Sequence, residues 1–423
     1  MKLASLNRFF LVDRMAKNVV VLVTGTVIGQ ALIFLLTPFL TRTYSPEQFG
    51  YLAVYISIVG IISTFSTFRY EVAIALPASD SEAMHIVVLC LILNVLTAVI
   101  LGLVFWKWGS QYLIKRGIVG FRGGNWLFPM GVVGAGMTQV LTFLALRQNR
   151  LTHLAHSRII QSSGQVGIQV LGASSNSWGF GLPFGDAIAR IVTIGVMFWQ
   201  GFYSKIGQLR FKWKMLFSLA YRYRKFPLLA GGSSLFNTLG FSLPPIMVAT
   251  MYSTSEAGLF AVSDRLIGLP LALLGQAISQ AYLSECASII REDRSKLKGL
   301  FRQTTYRLAL VGIPLILLLA LVGPRGAELL LGHKWSTAGA YVRVLVPMYI
   351  VQVVANPVSA TLILLERQGL QLAWDSIRLI TVLVVFFLAA RFGASPHVAV
   401  GLFGLAMAGM YLVLLLILDK AVN

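Results

Sequence analysis

The sequence predicts an all-α polytopic membrane protein: about twelve transmembrane helices in two pseudo-symmetric six-helix bundles, with both termini cytoplasmic. Three observations lead there. Only 12% of the 423 residues are charged and 57% are hydrophobic, against roughly 25% charged in soluble domains. Apolar runs of about 18 residues or more, each long enough to cross a bilayer as a helix, recur along the chain. The first half of the sequence is also echoed in the second.

Taken in order, the spans are predicted over residues 18–40, 50–68, 83–106, 126–146, 159–173 and 182–202, then 228–251, 257–282, 307–322, 340–365, 370–390 and 398–418. The basic N-terminus, MKLASLNRFFLVDRMAKN, is followed by an apolar run without a small-residue cleavage site, so it reads as an uncleaved first span. Ser79 and Glu82 have capping-box spacing before the third span. The fifth and ninth spans are short, and Gly and Pro break the segments between spans. Cys90 and Cys286 lie in or beside apolar helices far apart in sequence and read as small hydrophobes.

Charge sets the orientation. With the N-terminus inside, most of the 35 basic residues fall in cytoplasmic segments. The longest of these, residues 204–225 (SKIGQLRFKWKMLFSLAYRYRK), holds seven basic residues and no acid. Its interleaved aromatics and cations match a single-strand nucleic-acid platform in composition. They also match an interfacial helix on anionic lipid, with Phe211, Trp213 and Phe217 dipped inward and the lysines outward. The net charge of +20 belongs to a chain with no soluble segment long enough to form a nucleic-acid-binding domain, so the lipid reading is preferred and no nucleic-acid partner is expected. The chain thus divides into residues 1–203, an N-terminal six-helix bundle; 204–225, the basic linker; and 226–423, a C-terminal six-helix bundle.

The halves resemble one another. LTPFLTRTYSPEQFGYLAVYISIVG from Leu36 aligns with LPPIMVATMYSTSEAGLFAVSDRLIG from Leu243, setting Pro38 on Pro245, Tyr44 on Tyr252, Gly50 on Gly258, Ala53 on Ala261 and Gly60 on Gly268. GLPFGDAIAR at Gly181 and GLFGLAMAG at Gly401, and the ends LRQ and ERQ at Leu146 and Glu366, continue the match in the same order. Two halves of six spans enter the membrane from the same side, an arrangement used by transporters that rock one half against the other. Duplication for packing alone is the alternative.

Three stretches carry a family resemblance: FRYEVAIALPASDSEA from Phe68, GLFAVSDRLIGLPLALLGQAISQAYLSE from Gly258, and GHKWSTAGAYVRVLVPMYIVQVVANPVSATLILLERQ from Gly332. They resemble the bacterial polysaccharide transporter family, the Wzx-type oligosaccharide flippases of the multidrug/oligosaccharidyl-lipid/polysaccharide exporter superfamily. The resemblance implies two bundles in a V around a central cavity, in the bacterial inner membrane. It implies movement of an undecaprenyl-diphosphate-linked oligosaccharide (an O-antigen, capsule or exopolysaccharide repeat unit) from the cytoplasmic to the periplasmic leaflet. Membrane lipid, a polysaccharide polymerase and a chain-length regulator are the further partners it implies.

Such a substrate explains charge within spans. An arginine at a helix centre costs roughly 2.5–3.5 kcal/mol on insertion scales, so it is expected to face a cavity or a partner. Arg265 and Arg343 lack a well-placed acid on their own helix face and are the leading candidates for the diphosphate or sugar head; snorkelling, or a bond to a kinked helix carbonyl, is the alternative. Arg190 has Asp186 at i−4 and Arg378 has Asp375 at i−3, which suits either a structural pair or a substrate site. Arg69, with Glu71 beside it, either meets the incoming diphosphate or pins the elbow before the third span. Asp264, Asp186 and Asp375 are the ion-coupling candidates, and the repeat-related Pro38 and Pro245 the hinge candidates. Asn237, Gln276, Gln280, Gln352 and Asn356 suit hydrogen bonds to sugar hydroxyls or ties between helices.

No enzyme site, cofactor or metal site is expected. His153 and His156 have no cysteine or carboxylate close by, and GFGLPFG lacks a Walker lysine. A cation-coupled drug exporter of the same superfamily would favour unpaired carboxylates over arginines. An integral-membrane polysaccharide polymerase or ligase would need a larger outer loop than this chain provides.

Overall fold

The structure is a computed structural model that describes residues 2–115, 117–118, 123–173, 181–201, 211–227 and 231–422. Among these residues regular structure is helical throughout. The long helices are α1 (Lys2–Thr43), α2 (Pro46–Ser66), α3 (Asp80–Val104), α4 (Leu127–Arg147), α5 (Leu151–Ala173) and α6 (Gly181–Gly201). After the short α7 (Trp213–Arg222) come α8 (Gly231–Met251), α9 (Thr254–Glu292), α10 (Leu297–Leu331), α11 (Ser336–Val358), α12 (Gln368–Arg391) and α13 (Pro396–Val422).

Ten helical stretches among the described residues are long and apolar enough to cross a membrane. Two more, α5 and α8, occupy the fifth and seventh predicted spans with 23 and 21 residues. Large apolar side chains lie exposed in stripes at helical spacing, such as Leu96, Val99, Ile100 and Leu103 on α3 and Ile377, Ile380, Val384 and Phe387 on α12. In water such stripes would be a liability; against acyl chains they are matched to their solvent. The chain is a multi-pass membrane protein.

Boundaries differ from the sequence reading where helices outrun their apolar cores. The ninth predicted span is part of a 35-residue helix, α10, which also carries Lys298, Arg302 and Arg307 and is broken at Gly323, where φ is 17° and ψ −111°. The helix starts follow local chemistry. Ser45 and Gln48 cap each other before α2, through Ser45 N–H to Gln48 Oε1 (2.9 Å) and Gln48 N–H to Ser45 Oγ (3.3 Å). Ser253 repeats the device before α9, accepting from Glu256 N–H at 3.1 Å. Ser79 accepts from Glu82 N–H at 3.2 Å before α3, at the spacing the sequence shows.

Contacts divide the chain into two compact units. The first comprises Met1–Leu36, Ile58–Tyr112 and Phe121–Gly232; the second comprises Thr37–Ser57, Leu113–Gly120 and Ser233–Asn423. The end of α1 and the first half of α2 therefore pack with helices from the second half of the sequence. In the first unit, α3 and α4 pack on each other, and Ile74, Ile86, Val87, Cys90, Val140 and Leu144 form a buried cluster. In the second, α11 is central, packing against α9, α10 and α13. Both cysteines are free and buried.

Helix α7 is docked on α3 within the first unit. Leu216 and Leu219 are buried, and the Tyr70 hydroxyl donates to the Ala220 carbonyl at 3.0 Å. His85 donates from Nδ1 to the Ser81 carbonyl (2.7 Å), leaving Nε2 to accept from Lys212 N–H (3.1 Å). Trp213, Phe217 and Tyr221, one side chain per turn, are exposed on α7.

Candidate functional site

In the second unit, α2, α8, α9, α11, α12 and α13 line a partly open cavity of about 470 Å³. Its walls are largely apolar and aromatic: Phe49 and Ile56 come from α2, Phe241 from α8, Phe260 from α9, and Phe403 and Met407 from α13. Charge enters from α9 and α12. Asp264 and Arg265 are consecutive on α9, so a turn of about 100° per residue separates their directions, and both still line the cavity. Asp264 accepts a hydrogen bond from the Tyr349 hydroxyl of α11.

Arg378, on α12, lines the same cavity and is only 2% exposed. Its Nη2 donates to the Asn237 carbonyl at 2.9 Å and lies 3.5 Å from Asp375. The guanidinium stacks between Phe241, 4.4 Å from the ring centroid, and Trp374, at 4.8 Å, where a desolvated cation gains from the ring faces. Asp375, behind it, accepts from Asn237 Nδ2 (3.1 Å) and Gln371 Nε2 (3.2 Å). Gly240 makes room for this arrangement, since a Cβ there would stand 2.7 Å from Arg378 Nη2. Arg378 Nε has no hydrogen-bond partner, and neither does the buried Oε1 of Gln352, another lining residue. Pro244 and Pro245, inside α8, complete the wall.

A second cavity of about 280 Å³ adjoins the first, sharing Gly268, Ala272, Tyr349 and Gln352 with it. Gln276, Ser279 and Asn356 also line it, and among the described residues no charged one does.

The structure thus brings together Arg265, Arg378, Asp264 and Pro245, with Asp375 behind them. The other candidates lie elsewhere. Arg343 is exposed, and its Nε donates to the Ala320 carbonyl at 3.2 Å, beside the break at Gly323. That is the kinked-helix bond its alternative reading describes. In the first unit, Arg190 forks onto Asp186, with Nε to Oδ2 at 2.6 Å and Nη2 to Oδ1 at 3.1 Å. Pro38 lies in α1, and its carbonyl accepts from Thr41 Oγ1 at 3.1 Å.

Arg69 sits at the break after α2. It and Phe68 both have left-handed φ, 62° and 51°, a conformation that bulky residues adopt only when their surroundings fix it. Glu71 supplies that fixing. Its fully buried carboxylate accepts from Thr67 Oγ1 and from Gln139 Nε2 (2.9 Å), and it pairs with Arg69 Nη1 at 3.3 Å. Arg147 braces the far side of the elbow by donating to the carbonyls of Ile74 (3.2 Å) and Pro77 (2.7 Å).

Sequence reasoning missed Tyr349, Trp374 and Phe241. Trp374 stands at i−4 from Arg378 on the same helix, a spacing that could have been read; Tyr349 and Phe241 meet partners on other helices, Tyr349 85 residues from Asp264, which periodicity does not reveal.

A family model described as "Polysaccharide biosynthesis protein" matches residues 39–340. The chain belongs to that family. A curated relative, the teichuronic acid biosynthesis protein TuaB of Bacillus subtilis (strain 168), is 25% identical over 167 residues. That alignment covers 40% of this chain and 34% of the relative, so the chain matches about a third of the relative's length. Among solved structures, an inward-facing multidrug resistance MATE transporter of the MOP superfamily superposes with a TM-score of 0.73 at 13% identity, covering 93% of this chain and 94% of that one. The lipid II flippase MurJ, in an inward closed conformation, gives 0.69 at 13% identity, covering 95% and 86%. A MOP superfamily transporter from Pyrococcus furiosus gives 0.60 at 13% identity, covering 96% and 95%. This member of the polysaccharide biosynthesis protein family therefore shares its fold with transporters of the MOP superfamily.

Proposed function

We propose that this protein is a flippase of the bacterial inner membrane that carries a polyprenyl-diphosphate-linked oligosaccharide from the cytoplasmic to the periplasmic leaflet by alternating access. The observation that carries the reading is a cavity in membrane-spanning helices of a polysaccharide biosynthesis protein, walled by aromatics and supplied with two guanidinium groups. Stripping water from a sugar diphosphate in hydrocarbon is prohibitive, and such a cavity replaces that water with fixed hydrogen-bond donors. Arg265 and Arg378 act on the sugar part of the head within the second unit, and Arg69, Arg190 and Arg343 supply cationic contacts elsewhere on the route. Pro38 and Pro245 act as paired hinges. A polysaccharide polymerase and a chain-length regulator act on the delivered repeat units.

Mass spectrometry of glycolipids in cells lacking the protein tests this. Lipid-linked repeat units accumulate on the cytoplasmic side, and Arg265→Ala at normal protein level lowers delivery roughly 10- to 100-fold, the range for losing charge-assisted hydrogen bonds. Cells that deliver repeat units normally without the protein would remove the reading.

Asp264, Asp186 and Asp375 are the candidates for binding a coupling ion. Flipping into proteoliposomes is then expected to respond to an imposed proton or sodium gradient, and indifference to both excludes ion coupling. The carboxylate of Asp264 in an aromatic cavity favours one second reading, a cation-coupled exporter of small molecules. Drug sensitivity without glycolipid accumulation in the deletion strain would select it.

A further inference from the structure

We infer that the two adjoining cavities of the second unit form a subsite for the glycan of the substrate, in which amide side chains hydrogen-bond sugar hydroxyls. The inference rests on the flippase reading and adds to it which part of the substrate this unit takes. The larger cavity falls within the ~300–1,000 Å³ usual for small-ligand sites, and the smaller extends it through a shared wall at Tyr349 and Gln352.

Three ligand parts compete for the space: diphosphate, prenyl tail and glycan. A diphosphate requires an excess of positive charge. Here Arg378 is offset by Asp375 and Arg265 has Asp264 next to it, while the smaller cavity has no charged lining residue among the described residues. A prenyl tail requires a wall free of unsatisfied polar groups. The walls instead present Gln352, Gln276, Asn356 and Ser279, and both Gln352 Oε1 and Arg378 Nε are buried without a partner.

Buried polar atoms left unpaired are costly, and a ligand rich in hydroxyl groups, each both donor and acceptor, satisfies acceptor and donor alike. The exposed ring of Phe241 supplies apolar surface for the C–H face of a sugar ring. Glycan chemistry is the one of the three that uses every part of this lining.

The test uses the full-length protein in lipid nanodiscs and two probes: the lipid-linked repeat unit extracted from cells lacking the protein, and undecaprenyl diphosphate without glycan. Wild type is expected to prefer the glycan-bearing lipid. Gln352→Leu and Asn356→Leu, which keep side-chain bulk and remove the amide, each reduce that preference about tenfold, as when a polar site loses its hydroxyl partners. Affinity for undecaprenyl diphosphate stays within about twofold in both variants, since the diphosphate and tail bind elsewhere. Should either variant fail to fold, Gln276→Leu probes the same cavity. Unchanged preference, or equal loss for both lipids, overturns the glycan subsite. A wild-type protein that binds both lipids equally overturns the subsite alone, and one that binds neither overturns the flippase reading.

Discussion

Gly258→Leu is expected to destabilise the protein by about 3 kcal/mol, the upper end for over-packing, and to abolish delivery of repeat units. In the second unit α2 and α9 cross at glycines. A Cβ on Gly258 would overlap the Pro46 carbonyl oxygen, and one on Gly50 would overlap the Thr254 carbonyl oxygen. Backbone is the obstacle in both cases, so no rotamer change relieves the clash. Beside the crossing, Trp335 ties down the end of α1 and the start of α2: its Nε1 donates to the Thr41 carbonyl at 2.8 Å, and its ring meets Phe49 edge to face at 5.1 Å. Thermal unfolding of the purified variant, read beside Gly409→Leu, checks the claim, because a Cβ at Gly409 meets nothing within 4 Å. Equal unfolding temperatures for the two variants would show that the crossing is looser than drawn.

Asp375→Ala is expected to cost about 3–5 kcal/mol, the range for removing one partner of a buried ion pair. Arg378 would keep its place between Phe241 and Trp374 but lose the one carboxylate within ion-pair distance among the described residues. Asn237 and Gln371 would also lose their acceptor. The double variant Asp375→Leu with Arg378→Met, which removes both charges and restores apolar bulk, is expected to recover most of that stability without restoring transport. Thermal unfolding and glycolipid delivery, measured on the same variants, separate the two effects. A single variant as stable as wild type would mean that water reaches the pair.

The existence of the helices was legible because its causes are local, though α1, α5 and α10 start well before their apolar cores. Apolar windows and the Ser79–Glu82 cap lie within a few residues of what they determine, and the repeat aligns Gly50 with Gly258, the two glycines at which α2 and α9 meet. The site was legible only in part, because its causes are distant. Arg378 meets a carbonyl 141 residues away and Asp264 a hydroxyl 85 residues away, and helical periodicity does not say which two helices face each other. Arg343 shows the same limit from the other side. Its acceptor is a backbone carbonyl near a break at Gly323; the side-chain pattern offers such a carbonyl only as an alternative and does not say which one. The Arg69–Glu71 pair was visible as a pair, but Thr67 and Gln139, which hold Glu71, were not.

One wall of the second unit's cavity, with Phe49 and Ile56, is built from residues encoded in the first half of the chain. A gene fragment encoding only residues 226–423 would yield an incomplete receptacle, open along one side. The second half therefore leans on the first: it could not be transplanted, shuffled or expressed as a stand-alone module and keep its interior.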